Sequence, residues 1–183
     1  MRVLLGVSGG IAAYKACELS SRLVKQGHEL RVIMSESATH FVGPATFEAL
    51  SGHGVMTDTF GHTSGTEGPG AVQHINLAKW AEVAILAPAT AGTLGKLVHG
   101  VADNALITVW MAIPSSTPVL IAPAMNTEMW NHPANLRNVD WLAACGRYRI
   151  IDPVVKRLAC GDTGIGGLAE VDDLVSAVER AGR

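Results

Sequence analysis

The sequence predicts an α/β fold with a mainly parallel sheet, and three observations carry that expectation. Apolar, β-branched runs of strand length at residues 3–7, 83–87 and 119–122 read as buried strands. Each is followed by small or hydroxyl residues and then by a helical pattern, the order of a β-turn-α unit. A hydrophobic content of 48% with 20 glycines suits a compact domain whose strands and helices meet at tight turns.

Taken in order, residues 3–7 form the first strand, and Ser8-Gly9-Gly10 turns into a helix running to about Gln26 and stopped by Gly27. Glycines at such a turn let the backbone approach a phosphate, with the Ser8 hydroxyl and helix amides as donors. An ordinary tight α/β turn uses the same residues, and the full G-x-G-x-x-G spacing is missing. The second strand, 29–34, ends at Ser35, where an NAD domain offers an acidic residue to a ribose. That argues against NAD and suits a mononucleotide phosphate or ribityl chain; Ser35 also reads as a helix start. Residues 44–50 form another short helix. From 51 to 70 the chain turns to Gly, Ser, Thr and His without apolar periodicity, which predicts a long loop. His53 and His62 lie in it without metal-ligand spacing, so no metal site is expected.

The segment 73–81 carries His74, which titrates near neutral pH and is kept as a candidate base, although a lone histidine is more often a packed or capping residue. The strand at 83–87 ends in Pro88-Ala89-Thr90-Ala91-Gly92-Thr93, placing Thr90 and Thr93 where strand-end ligands bind. A helix is expected over 101–113, starting at Ala102-Asp103-Asn104. Strand 119–122 then delivers Pro123-Ala124-Met125-Asn126-Thr127-Glu128-Met129-Trp130 to a carboxyl end of the sheet. Asn126 brings a donor and an acceptor, and Met125, Met129 and Trp130 can wall a flat ligand. An Asn-capped turn packed by Met and Trp is the plainer alternative. Asn131-His132-Pro133 starts a helix to about Cys145, and 148–151 is a short strand. Four glycines around Cys160 predict a moving flap of poor secondary structure over 158–168. An amphipathic helix over 171–181 closes the chain.

A length of 183 residues fits one domain, 1–183, with chain enough for a sizeable core. A formal net charge of -2 and the lack of a Lys/Arg block give no electrostatic case for nucleic acid, so small-molecule chemistry is expected. No run has the apolar length of a membrane span, and a cytoplasmic location follows as the expectation. Cys17, Cys145 and Cys160 are odd in number and widely spaced, which indicates free thiols rather than a disulfide framework or zinc site.

These segments together, the Gly6-Val7-Ser8-Gly9-Gly10-Ile11-Ala12-Ala13-Tyr14-Lys15 turn, the His74 segment, Ala87-Pro88-Ala89-Thr90-Ala91, Pro123-Ala124-Met125-Asn126 with Met129-Trp130, and Leu158-Ala159-Cys160-Gly161-Asp162, resemble the homo-oligomeric flavin-containing cysteine decarboxylases. The resemblance covers nearly the whole chain. It implies a flavodoxin-like, Rossmann-type three-layer sandwich, FMN as cofactor, and a homo-oligomer, a trimer or a dodecamer of trimers, with FMN at subunit contacts. It also implies that Ser8, Gly9, Gly10, Ser35, Thr90, Ala91, Thr93 and Ala124 surround FMN. His74, Asn126 and Cys160 match the catalytic positions, and Asn126, Met129, Ala159 and Cys160 the substrate contacts. Two departures stand out: Gly92 replaces the usual Asn, and Gly167 a larger flap residue.

The chemistry explains why such residues belong together. A carboxylate on the carbon next to a CH2–SH group has no electron sink, so direct loss of CO2 would leave an unstabilised carbanion. If a thiolate's hydride passes first to FMN, the thioaldehyde formed can take up the electrons and leave an enethiolate. In this scheme His74 is the base or electrostatic partner, Asn126 orients the carboxylate, and the flap excludes water. Cys160 as proton donor lets the hydride return, giving a saturated thiol. The substrate expected is 4'-phospho-N-pantothenoylcysteine, with oxidative decarboxylation of a C-terminal peptide cysteine as the nearest alternative. A flavin prenyltransferase and a phosphatase-binding regulatory subunit stand further off.

Overall fold

The computed structural model describes residues 1–59, 73–157, 161 and 163–183. β1 (Arg2–Val7) is buried from Val3 onward. α1 (Ala13–Lys25) buries Ala13, Ala16, Leu19 and Leu23, spaced three or four residues apart so that one stripe faces the sheet. Gly27, at φ +82°, makes the left-handed turn that returns the chain to β2 (Glu29–Met34). β2 pairs parallel with β1 from Arg2↔Glu29 to Val7↔Met34. Ser35 caps α2 (Glu36–Thr39), its hydroxyl accepting the Ala38 amide, and α3 (Pro44–Ser51) follows.

α4 (Gln73–Trp80) leads to β3 (Val83–Ala89), followed by α5 (Ala91–His99), α6 (Ala105–Ala112), β4 (Val119–Pro123), α7 (Thr127–Asn131), α8 (Pro133–Ala144) and β5 (Arg149–Ile150). β6 (Val154–Arg157), β7 (Thr163–Gly167) and α9 (Val171–Ala181) complete the chain. The five-stranded sheet has the order β2-β1-β3-β4-β5 and every pairing is parallel. This is the flavodoxin-like order, with helices on both faces.

Strand periodicity divides the core in two. Val3, Leu5 and Val7 of β1 and Val83, Ile85 and Ala87 of β3 face α1, α3 and α9. Leu4, Ala84 and Leu86 face the layer of α4, α5, α6 and α8. Gly6 is a packing glycine. A Cβ there would lie 2.6 Å from Cη2 of Trp110, an α6 side chain that is almost fully buried against β1. On either side of β1 the chain proceeds in opposite directions, to β2 one way and to β3 the other, so a crevice opens at the carboxyl ends of β1 and β3.

Three expectations are corrected and one, the long loop, gains an anchor. The helix expected over 101–113 spans only Ala105–Ala112. Asn104 is its cap, accepting the Ile107 amide at 3.0 Å, while Lys96 holds Asp103 in an ion pair ahead of it. The long loop is anchored at its start. Val55 and Met56 are buried, and Met56 exchanges backbone hydrogen bonds with Val32 and Met34 at the sheet edge; residues 60–72 of that loop lie outside the described residues. The last sheet strand is shorter than 148–151, only Arg149–Ile150. The glycine-rich flap is a strand over much of its length, because β7 pairs antiparallel with β6 from Val154↔Gly167 to Arg157↔Thr163.

Candidate active site

A cavity of about 730 Å³ opens at the crevice, in the size range of cofactor and small-molecule sites. The β1–α1 turn contributes Gly9, Gly10, Ile11 and Ala12, with Tyr14 and Lys15 from the first turn of α1. The β3–α5 turn contributes Thr90 and Gly92, the β4–α7 turn Ala124, Met125, Asn126 and Met129, and the hairpin Lys156, Arg157, Gly166, Gly167 and Leu168.

The turns that build it are tied together by Ser8. Its hydroxyl donates to the Pro88 carbonyl at 2.7 Å and accepts the Thr90 amide at 2.9 Å, while its own amide also donates to Pro88 O at 3.2 Å. Ser8 is fully buried and does not line the cavity. Gly9 must lack a side chain for packing, since a Cβ would fall 2.3 Å from that of Ser37. The β1–α1 turn thus rests on the start of α2, the element Ser35 caps.

Two of the helices that begin at the cavity, α1 and α5, start without a side-chain cap. α1 has Ala12 at its N-cap, and α5 has Thr90, whose hydroxyl bonds Thr93 Oγ1 at 3.0 Å instead of a helix amide. Neither has an acidic residue in its first turn. By contrast α2, α6, α7 and α8 are capped by Ser35, Asn104, Asn126 and His132. Uncapped amides and the positive end of the helix dipole suit an anion such as a phosphate.

Part of the lining is apolar and soft: Met125, Met129, Ile11, Ala124 and Leu168. Ile11, Tyr14 and Met129 are about half exposed, at 58%, 60% and 48%, so apolar surface is presented to the cavity rather than buried in the core. A phosphate-compatible end beside such a wall fits a flavin mononucleotide, and the residues present therefore fit FMN.

Asn126 is the N-cap of α7. Its Oδ1 accepts the Glu128 amide at 2.8 Å, and the same side chain brings an Nδ2 donor, the kind of group that suits a carboxylate. Both readings of this stretch hold at once: the asparagine is a cap and a cavity residue.

The rim is cationic. Glu170 lies 3.5 Å from Lys15 Nζ and 3.5 Å from Lys156 Nζ, and Lys156 also donates to the Leu168 carbonyl at 2.7 Å. Exposed Arg157 adds a third cation. Burial and the neighbouring Lys15 ammonium push the Lys156 pKa below the usual lysine value, against the pull of Glu170. Two ammonium groups thus share one carboxylate.

Of the predicted site residues, Gly9, Gly10, Thr90, Ala124, Asn126 and Met129 line this cavity. Ser8, Ala91 and Thr93 are adjacent to lining residues in the chain without lining it themselves, and Ser35 does not line it; its amide donates to the Val7 carbonyl beside the β1–α1 turn. His74 does not line it either. It stands in the first turn of α4, the helix that precedes β3. Its Nδ1 is buried with no hydrogen-bond partner among the described residues. Ala159 and Cys160 lie outside the described residues. Lys15, Lys156 and Arg157 were not foreseen. Lys15 was legible as a cation in the first turn after the glycines, whereas the hairpin that carries the other two had no strand signature.

Among the described residues no group of three or more His, Cys, Asp or Glu side chains gathers as metal ligands, and no helix is long and apolar enough to cross a membrane. Cys17 and Cys145 are free thiols, and burial raises the pKa of Cys17.

A parallel sheet in this order, with an anion-ready glycine turn and an apolar wall at its switch point, defines a mononucleotide-binding α/β protein. The chain belongs to the Flavoprotein family, whose pattern matches residues 1–181. It is 49% identical over 178 residues to the coenzyme A biosynthesis bifunctional protein CoaBC of Bacillus subtilis (strain 168), covering 97% of this chain but 42% of that relative. The chain therefore spans less than half the length of that protein. It is 42% identical to the probable phosphopantothenoylcysteine decarboxylase of Streptococcus mutans, covering 97% of each. Among solved structures it is similar to a cysteine-to-serine mutant of PPC decarboxylase complexed with pantothenoylaminoethenethiol, with TM-score 0.84, 35% identity, and 98% and 96% of the two chains covered. It is also similar to the FMN-dependent cysteine decarboxylase SpaF, with TM-score 0.82, 34% identity, and 100% and 98% covered.

Proposed function

We propose that this chain is an FMN-dependent decarboxylase of an acylated cysteine, converting 4'-phospho-N-pantothenoylcysteine to 4'-phosphopantetheine. The observation that carries the choice of substrate is the pairing of a fixed amide donor with a cation-rich rim in one cavity. Asn126, turned by its cap, suits the cysteine carboxylate. Among the described residues Lys15 and Lys156 share the Glu170 carboxylate and are short of negative charge, and Arg157 adds to the excess. A substrate with a second anion at its far end relieves that excess; a peptide ending in cysteine carries no such obligatory group.

Gly9, Gly10, Thr90 and Ala124 would hold FMN, with Ser8, Ser35, Ala91 and Thr93 bracing the turns that do so. When bound, FMN supplies a two-electron acceptor and donor for the carbon bearing the thiol. Asn126 Nδ2 holds the carboxylate in line for departure, and the Met125 and Met129 side chains keep water from it. Cys160 is assigned as the proton donor that returns the product to a saturated thiol. His74 is assigned as base or electrostatic partner. Because it does not line the cavity of its own chain, it would serve a cavity at a subunit contact in the proposed homo-oligomer, a trimer or a dodecamer of trimers. The protein would work in the cytoplasm, without nucleic acid or membrane partners.

The test is a mass spectrum of the product from FMN-loaded protein. Loss of CO2 from 4'-phospho-N-pantothenoylcysteine with no other change in hydrogen count is the expected result. No reaction with that compound, together with loss of CO2 and two hydrogens from a peptide ending in cysteine, overturns the proposal in favour of a peptide-modifying enzyme.

A further inference from the structure

We infer that Thr127 is a positioning residue that holds the β6–β7 hairpin against the Asn126 turn and so sets the spacing between the two ends of the substrate site. The inference rests on the proposed substrate. Two hydrogen bonds join the hairpin to this turn, one on each side of Asn126: the Met125 amide donates to the Gly166 carbonyl at 2.8 Å, and Thr127 Oγ1 donates to the Ile165 carbonyl at 2.8 Å. The approach is so close that a side chain is excluded at Gly164 and Gly166 of β7. A Cβ on Gly164 would lie 2.4 Å from Thr127 Oγ1, and one on Gly166, at φ +131°, would lie 2.3 Å from the Met125 carbonyl oxygen. Two of the flap glycines are therefore explained by docking rather than by mobility.

The consequence lies on the far strand. β6 carries Lys156 and Arg157, paired with Gly164 and Thr163 of β7, so wherever β7 sits the cations follow. Thr127 begins the helix that Asn126 caps. This hydroxyl, together with the Met125 amide, thus ties the carboxylate end of the site to its cationic end. Removing it frees the hairpin to drift, which costs a ligand that must bridge both ends more than a ligand that uses one.

The test compares Thr127→Val, which swaps the hydroxyl for a methyl of similar shape, with Thr127→Ser, which keeps it. The FMN-loaded protein is assayed with 4'-phospho-N-pantothenoylcysteine and with its dephosphorylated counterpart, and backbone hydrogen exchange is followed across residues 163–168. For Thr127→Val the KM of the phosphorylated compound should rise about three- to tenfold, the worth of one hydrogen bond. The KM of the dephosphorylated compound should change less than twofold, and exchange across 163–168 should quicken. Thr127→Ser should behave as the wild type in all three. A purely structural lesion would weaken both compounds alike, so an unchanged ratio of the two KM values overturns the inference, as does unchanged exchange. If the wild type turns over neither compound, the substrate reading fails and this inference with it as stated; faster exchange in Thr127→Val alone would then support only the contact.

Discussion

Ser8→Ala separates a residue that braces the site from one that touches the cofactor. The hydroxyl makes two hydrogen bonds, donating to Pro88 O and accepting from Thr90 N–H, in a fully buried position. Each such bond contributes about 1 kcal/mol net, and a buried group left unpaired costs about 1–3 kcal/mol. The Pro88 carbonyl keeps the Ser8 amide as a partner, and the half-buried Thr90 amide borders the cavity. Both facts place the loss at the lower end, about 2 kcal/mol. For a chain of this length that corresponds to a fall in Tm of roughly 4–8 °C. The assay is urea and thermal unfolding of the FMN-free protein, with FMN affinity measured by flavin fluorescence. The expected result is a clear loss of stability without FMN, accompanied by weaker FMN binding because Thr90 and the glycine turn are no longer held in register. A variant as stable as the wild type when FMN-free, yet weakened in FMN binding, would show that the hydroxyl contacts the cofactor directly and would refute the bracing role.

Asn126→Asp retains a good helix cap but puts a second carboxylate against that of the substrate; Tm should stay within about 2 °C while turnover falls about 100-fold or more, and near-normal turnover in a steady-state assay would discard Asn126 as the carboxylate donor. Gly92→Asn adds an amide at a cavity-lining position where a Cβ meets nothing within 4 Å; FMN titration should show binding tightened about threefold, and weakened binding would contradict the open space found there. His28 has a buried Nε2 without a hydrogen-bond partner among the described residues, and burial, helped by the Met1 ammonium, lowers its pKa from 6.5. The folded state therefore binds this proton less readily than the unfolded chain, so His28 contributes stability above about pH 6.5 that is lost as pH falls below it. His28→Gln should flatten that part of the stability-versus-pH curve in urea unfolding, and an unchanged slope would exclude His28 as its source.

The parallel α/β architecture was legible because buried strands and the turns after them leave local signatures. Residues 83–87 are apolar without interruption, and Gly27 ends a helix at a left-handed turn. The sequence also located the cavity turns, at Gly9-Gly10, Thr90 and Asn126, because parallel strands deliver their carboxyl ends to one edge. What was illegible lacked local cause. β7, TGIGG, is mostly glycine; its pairing comes from β6, and Gly164 and Gly166 answer to Thr127 and Met125, about 40 residues away in the chain. Nor could the sequence tell that the Ser8 hydroxyl is used inside the fold, since that depends on Pro88 and Thr90, about 80 residues on. The chain by itself determined the layers and the address of the site, through periodicity and turn chemistry that act over a few residues. Only the tertiary structure decided which polar atoms brace the cavity and which face it, and that Lys15 and Lys156 share one carboxylate there, because those outcomes depend on contacts between segments that are neighbours in space alone.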